Sequence, residues 1–176
     1  ATLSGWVNAC DAFHQTASSE EGIGAVLAMQ AALRRAGLQP ADIGYINAHG
    51  TGTPNNDESE LAAVRSVFPT LPPLSSTKSA TGHTTSASGS VEAVICLLAL
   101  QHHFLPANLH WSSAMDEDFT PVLVPTPAPQ LRHVLCNAFA FGGNDTALVF
   151  SQYDTVQSEQ QPSTIPAPRA VYLHQL

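Results

Sequence analysis

The sequence predicts an α/β domain, and three observations lead to this prediction. Helical and extended apolar patterns alternate along the chain, the extended runs are too apolar to face water, and glycine-rich loops follow them. The length of 176 residues is enough for one domain with a hydrophobic core. We expect this domain to cover residues 1–153. Residues 154–176 are polar, contain prolines and lack periodicity, so they are predicted to form a flexible tail.

Apolar spacing predicts the elements in the first half of the chain. Residues 22–36 carry apolar side chains at helical spacing, and Gly37 is a typical helix stop. Residues 43–48 form a short apolar run with β-branched residues, which predicts a strand that opens into the loop HGTGTP. The helix that follows this loop is expected to be capped by Asn56 or Asp57.

The second half is predicted to contain more strands and one strongly apolar helix. The strands are expected at residues 74–77, 122–124 (as an edge strand), 133–140 and 146–151. A helix from about Ser88 leaves little polar face, so we expect it to be buried. The segment FGGND at residues 141–145 reads as a hairpin-type turn between the last two strands.

The chain has an unusually low content of charge. Only 11% of its residues are charged, against 44% hydrophobic residues, and its formal net charge is −8. Much of the surface is therefore expected to be buried against a partner subunit or against a missing part of the same fold. A compact domain with a neutral polar surface is the alternative.

Composition argues against several classes of function. The six basic residues are spread along the chain, which argues against a nucleic-acid partner. The cysteines lack CxxC or Cys/His spacing, so neither a zinc site nor a disulfide framework is predicted. No signal peptide is visible, and the apolar run at residues 91–100 is too short to span a bilayer, so a cytoplasmic protein is expected.

Three loops with reactive side chains each follow a predicted strand. The first carries His49, the second carries Lys78 and His83, and the third carries Phe141 beside two glycines. Ligands of α/β sheets bind at such strand ends, and glycine lets the backbone turn sharply there. A single histidine in a loop is usually solvated or structural. Two histidines in two loops of small residues support a functional site as well as they support solvated or structural side chains.

Four short motifs along the chain are similar to those of a known protein family. Residues 47–54 (NAHGTGTP), with Asp57 and Glu60, are similar to the family segment NAHGTxTPxxDxxE. Residues 76–83 (STKSATGH) are similar to STKxxxGH, and residues 136–143 (CNAFAFGG) to NSFGFGG. Upstream, residues 11–16 (DAFHQT) are similar to DAYHMT. The motifs occur in the family order over about residues 5–151, so the chain resembles the C-terminal half of a β-ketoacyl-[acyl-carrier-protein] synthase.

The resemblance implies a thiolase-like fold, in which this chain is the second of two duplicated α/β halves with a mixed sheet covered by helices. It also implies a decarboxylative Claisen condensation of malonyl-[acyl-carrier protein] with an acyl thioester, in fatty acid or polyketide biosynthesis. His49 and His83 match the two catalytic histidines of the family, and Lys78 matches its lysine. Such histidines act as neutral hydrogen-bond donors where negative charge develops, and a nearby ammonium helps to keep them unprotonated.

The resemblance further implies a set of substrate-binding residues. Phe141 matches the family's gate to the acyl pocket, and the other implied binding residues are Thr51, Thr53, Gly142 and Gly143. Ala140 replaces the usual glycine before the gate, and Asn144-Asp145 replaces Thr-Asn. These departures from the family pattern bear on the substrate preference and not on the reaction class.

No cofactor is implied, and a cation is only a weaker implication. A monovalent cation would be held at the positions of Asn47, Glu92 and Asn137. A hydrogen-bonded Glu92 without metal is the alternative that we favour.

The family's nucleophilic cysteine has no counterpart among Cys10, Cys96 and Cys136. That cysteine lies in a small-residue elbow at a helix N-terminus, and none of the three has this context. The expected partners are therefore an N-terminal half that carries the nucleophile, an acyl carrier protein, and a second complete synthase unit in a dimer. Two alternatives remain: a non-catalytic subunit similar to a chain-length factor, and an inactive truncated synthase.

Overall fold

The computed structural model describes residues 1–114 and 118–153 of the chain. The predicted tail at residues 154–176 lies outside them. The strands are β1 (Thr2–Cys10), β2 (Tyr45–Asn47), β3 (Leu74–Ser75), β4 (Phe104–Leu105), β5 (Thr126–Pro127), β6 (His133–Ala140) and β7 (Asn144–Ser151). The α-helices are α1 (Ile23–Ala36), α2 (Pro54–Val67), α3 (Lys78–Thr81) and α4 (Ser88–His102).

Five strands form one mixed sheet in the order β1-β7-β6-β2-β3. Strand β7 runs antiparallel to both of its neighbours, whereas β6, β2 and β3 are parallel to one another. The parallel pairing brings the carboxyl ends of β2, β3 and β6 to the same edge of the sheet. The loops predicted to carry the reactive side chains therefore start beside one another, as expected for an α/β fold.

Helices cover both faces of the sheet, so the domain has three layers. On one face, Met29 of α1 and Val64 of α2 are packed with Leu135 and Val149 of the sheet. On the other face, Leu100 of α4 belongs to a second apolar cluster with residues of the same sheet. The predicted fold class, a mixed sheet covered by helices, is confirmed.

Glycines mark both ends of α1. Gly22 (φ 60°) and Gly37 (φ 69°) both adopt the left-handed conformation that side chains disfavour, which confirms the predicted helix and its stop. A Cβ atom on Gly22 would also lie only 2.6 Å from the carbonyl oxygen of Ser59 in α2. The start of α1 can therefore pack directly on the backbone of α2.

Several predicted boundaries were wrong. Helix α2 begins at Pro54 with Thr53 as its N-cap, rather than at Asn56 or Asp57, because proline at the first position is already set for helical φ. Residues 122–124 lie inside the described range but form no strand. Val122 instead makes backbone hydrogen bonds to Leu74 and Asn108, and the short edge pairing is that of β4 with β5.

Helix α4 is only partly buried, which corrects the expectation of a buried helix. Its inner face, with Glu92, Cys96 and Leu100, is buried against the sheet. On its outer face, Val94 is 55% exposed and Leu98 is 41% exposed. The outer face of α4 thus leaves apolar side chains open to water.

Among the described residues, no helix combines the length and the apolar character needed to cross a bilayer.

Candidate active site at the carboxyl ends of β2, β3 and β6

Hydrogen bonds fix both the backbone and the imidazole ring of His49. The buried carboxylate of Glu60 in α2 accepts hydrogen bonds from the backbone N–H groups of His49 (2.9 Å) and Gly50 (2.8 Å). It also accepts one from the Asn137 side chain of β6 (3.0 Å). Because these donors come from two neighbouring strand ends, Glu60 fixes the His49 loop relative to the sheet.

The loops that follow β2 and β3 are joined by Ser76. Its hydroxyl group donates to the carbonyl oxygen of Gly50 over 2.8 Å. Gly50 has a φ of 40°, and a Cβ atom there would lie 2.5 Å from the Cβ of Ser76. This close approach requires glycine and holds the two histidine-bearing loops together.

Lys78 lies against His49 and is not a solvated side chain. Its ammonium group contacts the His49 Nδ1 atom (3.1 Å), the His49 carbonyl oxygen and the carboxylate of Glu92. An ammonium has three hydrogens and no acceptor, so these three partners use all of its donors. The His49 Nδ1 atom accepts, and the neutral ring therefore carries its hydrogen on Nε2.

The surroundings of His49 disfavour its protonated form. Burial, the charge of Lys78 and the neighbouring His83 lower the pKa of His49 to about 3. The ring is therefore neutral at physiological pH. It can donate a hydrogen bond to a developing oxyanion without carrying a charge itself.

His83 reaches the same tautomer through a different contact. Its Nδ1 atom accepts a hydrogen bond from the backbone N–H of Thr85 over 3.1 Å, so the neutral ring also carries its hydrogen on Nε2. The rings of His49 and His83 are 5.5 Å apart between centroids and nearly perpendicular, at 88°. Two imidazole N–H donors thus lie side by side.

A cleft of about 920 Å³ contains both histidines. The residues predicted to bind substrate, which are Thr51, Thr53, Phe141, Gly142 and Gly143, line this cleft as well. The Phe141 side chain is 78% exposed, so it does not pack into the hydrophobic core of the described residues. The aromatic ring that contacts His49 is Phe139, at 5.7 Å between centroids.

Phe141 lies in the turn between β6 and β7. Gly142 (φ 82°) and Gly143 (φ 74°) supply its left-handed backbone. The turn is shorter than predicted, because β7 already begins at Asn144. The Gly142 N–H donates to the carbonyl oxygen of Gln15 over 2.8 Å, so the turn is attached to the loop that follows β1.

The sequence of this chain matches a known protein family. The family described as "Beta-ketoacyl synthase, C-terminal domain" matches residues 1–112, which include both histidine motifs. The chain belongs to the β-ketoacyl synthase family.

Other members of the family resemble the chain over most of its length. It is 39% identical over 158 residues to 3-oxoacyl-[acyl-carrier-protein] synthase 2 of Vibrio harveyi, covering 86% of this chain and 38% of that protein. A ketosynthase in complex with its chain length factor from Xenorhabdus doucetiae has a TM-score of 0.78 and 42% identity, over 86% of this chain and 39% of that one.

A second structure was solved with an acyl carrier protein. This type II polyketide ketosynthase, bound to the hexaketide and to its carrier protein, has a TM-score of 0.81 and 25% identity, over 86% of this chain and 38% of that one. The chain therefore spans little more than a third of the length of the synthases that it matches.

The cysteines of this synthase chain are not placed for nucleophilic attack. Cys96 and Cys136 are buried, and burial raises the pKa of Cys96 well above its usual range. Cys10 is exposed, and its thiol donates to the Gly142 carbonyl oxygen over 3.6 Å. None of the three is among the described residues that line the cleft.

The sequence did not predict the roles of Glu60 and Phe139 in the site, nor the helical form of the segment at Lys78. Glu60 was visible only as a motif position, although an acidic residue on the buried face of a helix signals a partner. Phe139 near the end of β6 was not singled out in the sequence, and its ring centroid lies 5.7 Å from that of His49. The predicted loop at Lys78 is the one-turn helix α3.

Proposed function

We propose that this chain is the C-terminal part of a 3-oxoacyl-[acyl-carrier-protein] synthase of fatty acid or polyketide biosynthesis. One observation carries the proposal. His49 and His83 are each left with an Nε2–H donor in one cleft, because Lys78 and the Thr85 backbone donate to their Nδ1 atoms.

The proposed reaction is a decarboxylative Claisen condensation. The bond between the malonyl carboxylate and its α-carbon breaks, carbon dioxide leaves, and the electron pair stays behind as a thioester enolate. His49 and His83 would donate hydrogen bonds to the enolate oxygen, where the negative charge develops. The enolate carbon then attacks the acyl thioester, and the thiolate of the nucleophilic cysteine leaves.

The nucleophilic cysteine would come from an N-terminal half of the synthase. Two features support this part of the proposal: the cysteines of this chain lie outside the cleft, and the outer face of α4, with Val94, Leu97 and Leu98, is exposed. An apolar surface of this kind is suited to packing against the second α/β half. The complete units would form a dimer and receive malonyl groups from an acyl carrier protein.

We expect the 176-residue chain alone to have no condensing activity. It contains the donors for decarboxylation but no cysteine in the cleft, so no acyl-enzyme can form. The measurement is malonyl-dependent elongation by the purified chain, with and without an added N-terminal half from a related synthase. Activity that appears only with the added half supports the proposal.

Robust malonyl-dependent elongation by the chain alone would refute the proposed need for an N-terminal half. Acylation of the added half without any elongation would instead favour a chain-length-factor-like or inactive product.

We expect Phe141→Ala to relax selectivity for the acyl group while malonyl decarboxylation is retained. The Phe141 ring lines the cleft at a turn with two left-handed glycines, where it can obstruct the acyl path until the turn moves. The measurement compares kcat/KM for a short and a long acyl thioester in the assembled synthase. Tyr153→Ala is the matched control, since Tyr153 is 53% exposed and does not line the cleft. Unchanged selectivity would exclude the gating role.

The cation positions named from the resemblance fit a monovalent ion in one respect. The Oδ1 atoms of Asn47 and Asn137 and the Oε2 atom of Glu92 are buried and have no hydrogen-bond partner. Oxygen atoms of amides and carboxylates are suitable ligands for such an ion. Glu92 also pairs through its other oxygen with Lys78, and no described group of three His, Cys, Asp or Glu residues could hold a metal.

A further inference from the structure

A buried chain of side-chain hydrogen bonds lies beside the base of the His49 loop. The Tyr45 hydroxyl group and the Ser75 Oγ atom are 2.7 Å apart, and Ser75 donates to the carbonyl oxygen of Pro106 over 2.7 Å. The Nδ2 atom of Asn47 lies 3.3 Å from the Tyr45 oxygen. The side chains of Tyr45, Asn47 and Ser75 are fully buried. A bond lost from this chain would therefore leave a buried polar group without a partner.

The direction of each bond follows from the acceptor at the end of the chain. A carbonyl oxygen only accepts, so Ser75 uses its single hydroxyl hydrogen on Pro106. Ser75 must then accept from Tyr45, and Tyr45 must accept from the Asn47 amide. Burial raises the pKa of Tyr45 well above its usual range, so its hydroxyl group stays protonated. The chain therefore turns the Nδ2 atom of Asn47, and not its Oδ1 atom, towards Tyr45.

Side chains align β2 with the segment that carries Lys78. The backbone pairing of β2 with β3 includes only two residue pairs and ends at Asn47 and Ser75. Side-chain contacts at three successive levels join the two segments: Tyr45 with Ser75 (2.7 Å), Asn47 with Thr77 (3.4 Å) and His49 with Lys78 (3.1 Å). Because β3 is so short, the position of Lys78 depends on these contacts as well as on the backbone ladder.

Thr77 connects the buried chain to Lys78. It is the N-cap residue of α3, and Lys78 is the first residue of that helix. The Thr77 hydroxyl group can donate as well as accept, so it fits either orientation of the Asn47 amide. The Pro106 carbonyl oxygen fits only one orientation, because it cannot donate. Tyr45 is thus the residue that transmits a single orientation from Pro106 to Asn47.

We propose that Tyr45 is a positioning residue for the contact between Lys78 and His49. Its hydroxyl group fixes the Asn47 amide, which holds the start of α3, and α3 places the Lys78 ammonium group against the Nδ1 atom of His49. Because that contact leaves the ring hydrogen on Nε2, Tyr45 sets the tautomer of His49 without lining the cleft. The consequence for decarboxylation rests on the proposed function, but the effect on the tautomer does not.

NMR of the histidine ring nitrogens in the full chain tests the proposal. In a chain labelled with nitrogen-15 histidine, the chemical shifts distinguish the protonated ring nitrogen from the unprotonated one. The signals of His49 are those that are missing from His49→Gln. The unchanged chain should show the Nε2–H form of His49. Tyr45→Phe removes only a hydroxyl group, and we expect the ratio of the Nδ1–H form to the Nε2–H form to rise about fivefold, as for the loss of one net hydrogen bond.

A second variant tests the direction of the chain, and a third is the matched control. Ser75→Ala keeps the Tyr45 hydroxyl group but removes the acceptor that fixes its direction. Tyr45 can then donate to Asn47, so we expect a similar change in tautomer. Ser151→Ala removes another buried hydroxyl group, which makes its hydrogen bonds at the opposite edge of the sheet. It should leave the tautomer of His49 unchanged.

Signals of His49 in Tyr45→Phe that match those of the unchanged chain would overturn the proposal. An equal change in Ser151→Ala would overturn it as well, because the effect would then be a general loosening of the fold. An unchanged tautomer in Ser75→Ala would refute the direction assigned to the chain, whether or not Tyr45→Phe folds. Because the measurement needs no turnover, failure of the proposed function would leave its result intact.

Discussion

Replacing either His49 or His83 by alanine is expected to reduce malonyl decarboxylation by the assembled synthase about 10²–10³-fold. Each variant removes one of the two imidazole N–H donors that line the cleft. In the proposed mechanism the donors act on the enolate oxygen, so acylation of the cysteine in the proposed N-terminal half should continue. The measurement is the rate of carbon dioxide release from malonyl thioester, with acyl-enzyme formation followed in parallel.

His102→Ala is the matched control for these variants. His102 is the last residue of α4, is exposed and does not line the cleft, so its loss should leave decarboxylation unchanged. Normal decarboxylation by both cleft variants would mean that the histidines have a structural role only. Loss of acylation together with decarboxylation would point to a damaged fold.

Lys78→Met is expected to destabilise the chain by about 3–5 kcal/mol. The substitution leaves the Glu92 carboxylate buried without its cation, and one of its oxygens already has no partner. For a domain of this size, the loss corresponds to a melting temperature lower by roughly 6–20 °C. Thermal unfolding of the full chain measures it.

A double variant, Lys78→Met with Glu92→Leu, separates stability from positioning. Removing both charges together should recover most of the lost stability, because an apolar pair no longer contains an uncompensated charge. It should not recover decarboxylation, since the His49 Nδ1 atom still lacks the donor that sets its tautomer. A single variant that melts within about a degree of the unchanged chain would contradict the buried ion pair.

Local sequence signals predicted the elements that position the site. Helix α1 was predicted because its apolar residues recur at helical spacing and its stop is a left-handed glycine. The strands β2 and β6 were predicted because both faces of each are buried, which makes their runs nearly continuously apolar. The loop with His49 followed from the end of β2, and the loop with Lys78 and His83 followed from the end of the predicted strand at residues 74–77, which is β3.

Features that depend on distant partners were not predicted. β1 has mostly half-buried or exposed side chains and is a strand because it pairs with β7, which lies more than 130 residues away. The opposite error occurred at residues 122–124, where the apolar run makes a backbone hydrogen bond to Leu74 at the edge of the sheet but does not continue as a strand. The exposure of Leu98 on α4 could not be read from composition either, since an apolar helix looks the same whether its cover is in the chain or on a partner.

The buried position of Lys78 also affects how the chain responds to amine-reactive reagents. Lys78 is the single lysine in the sequence, and all of its ammonium hydrogens are directed at His49 and Glu92. Acylating or cross-linking reagents therefore find no exposed lysine side chain on the folded protein. Modification at Lys78 would mark only molecules in which the site has opened, so a standard protein-labelling reaction becomes a residue-specific probe of unfolding around His49 and Glu92.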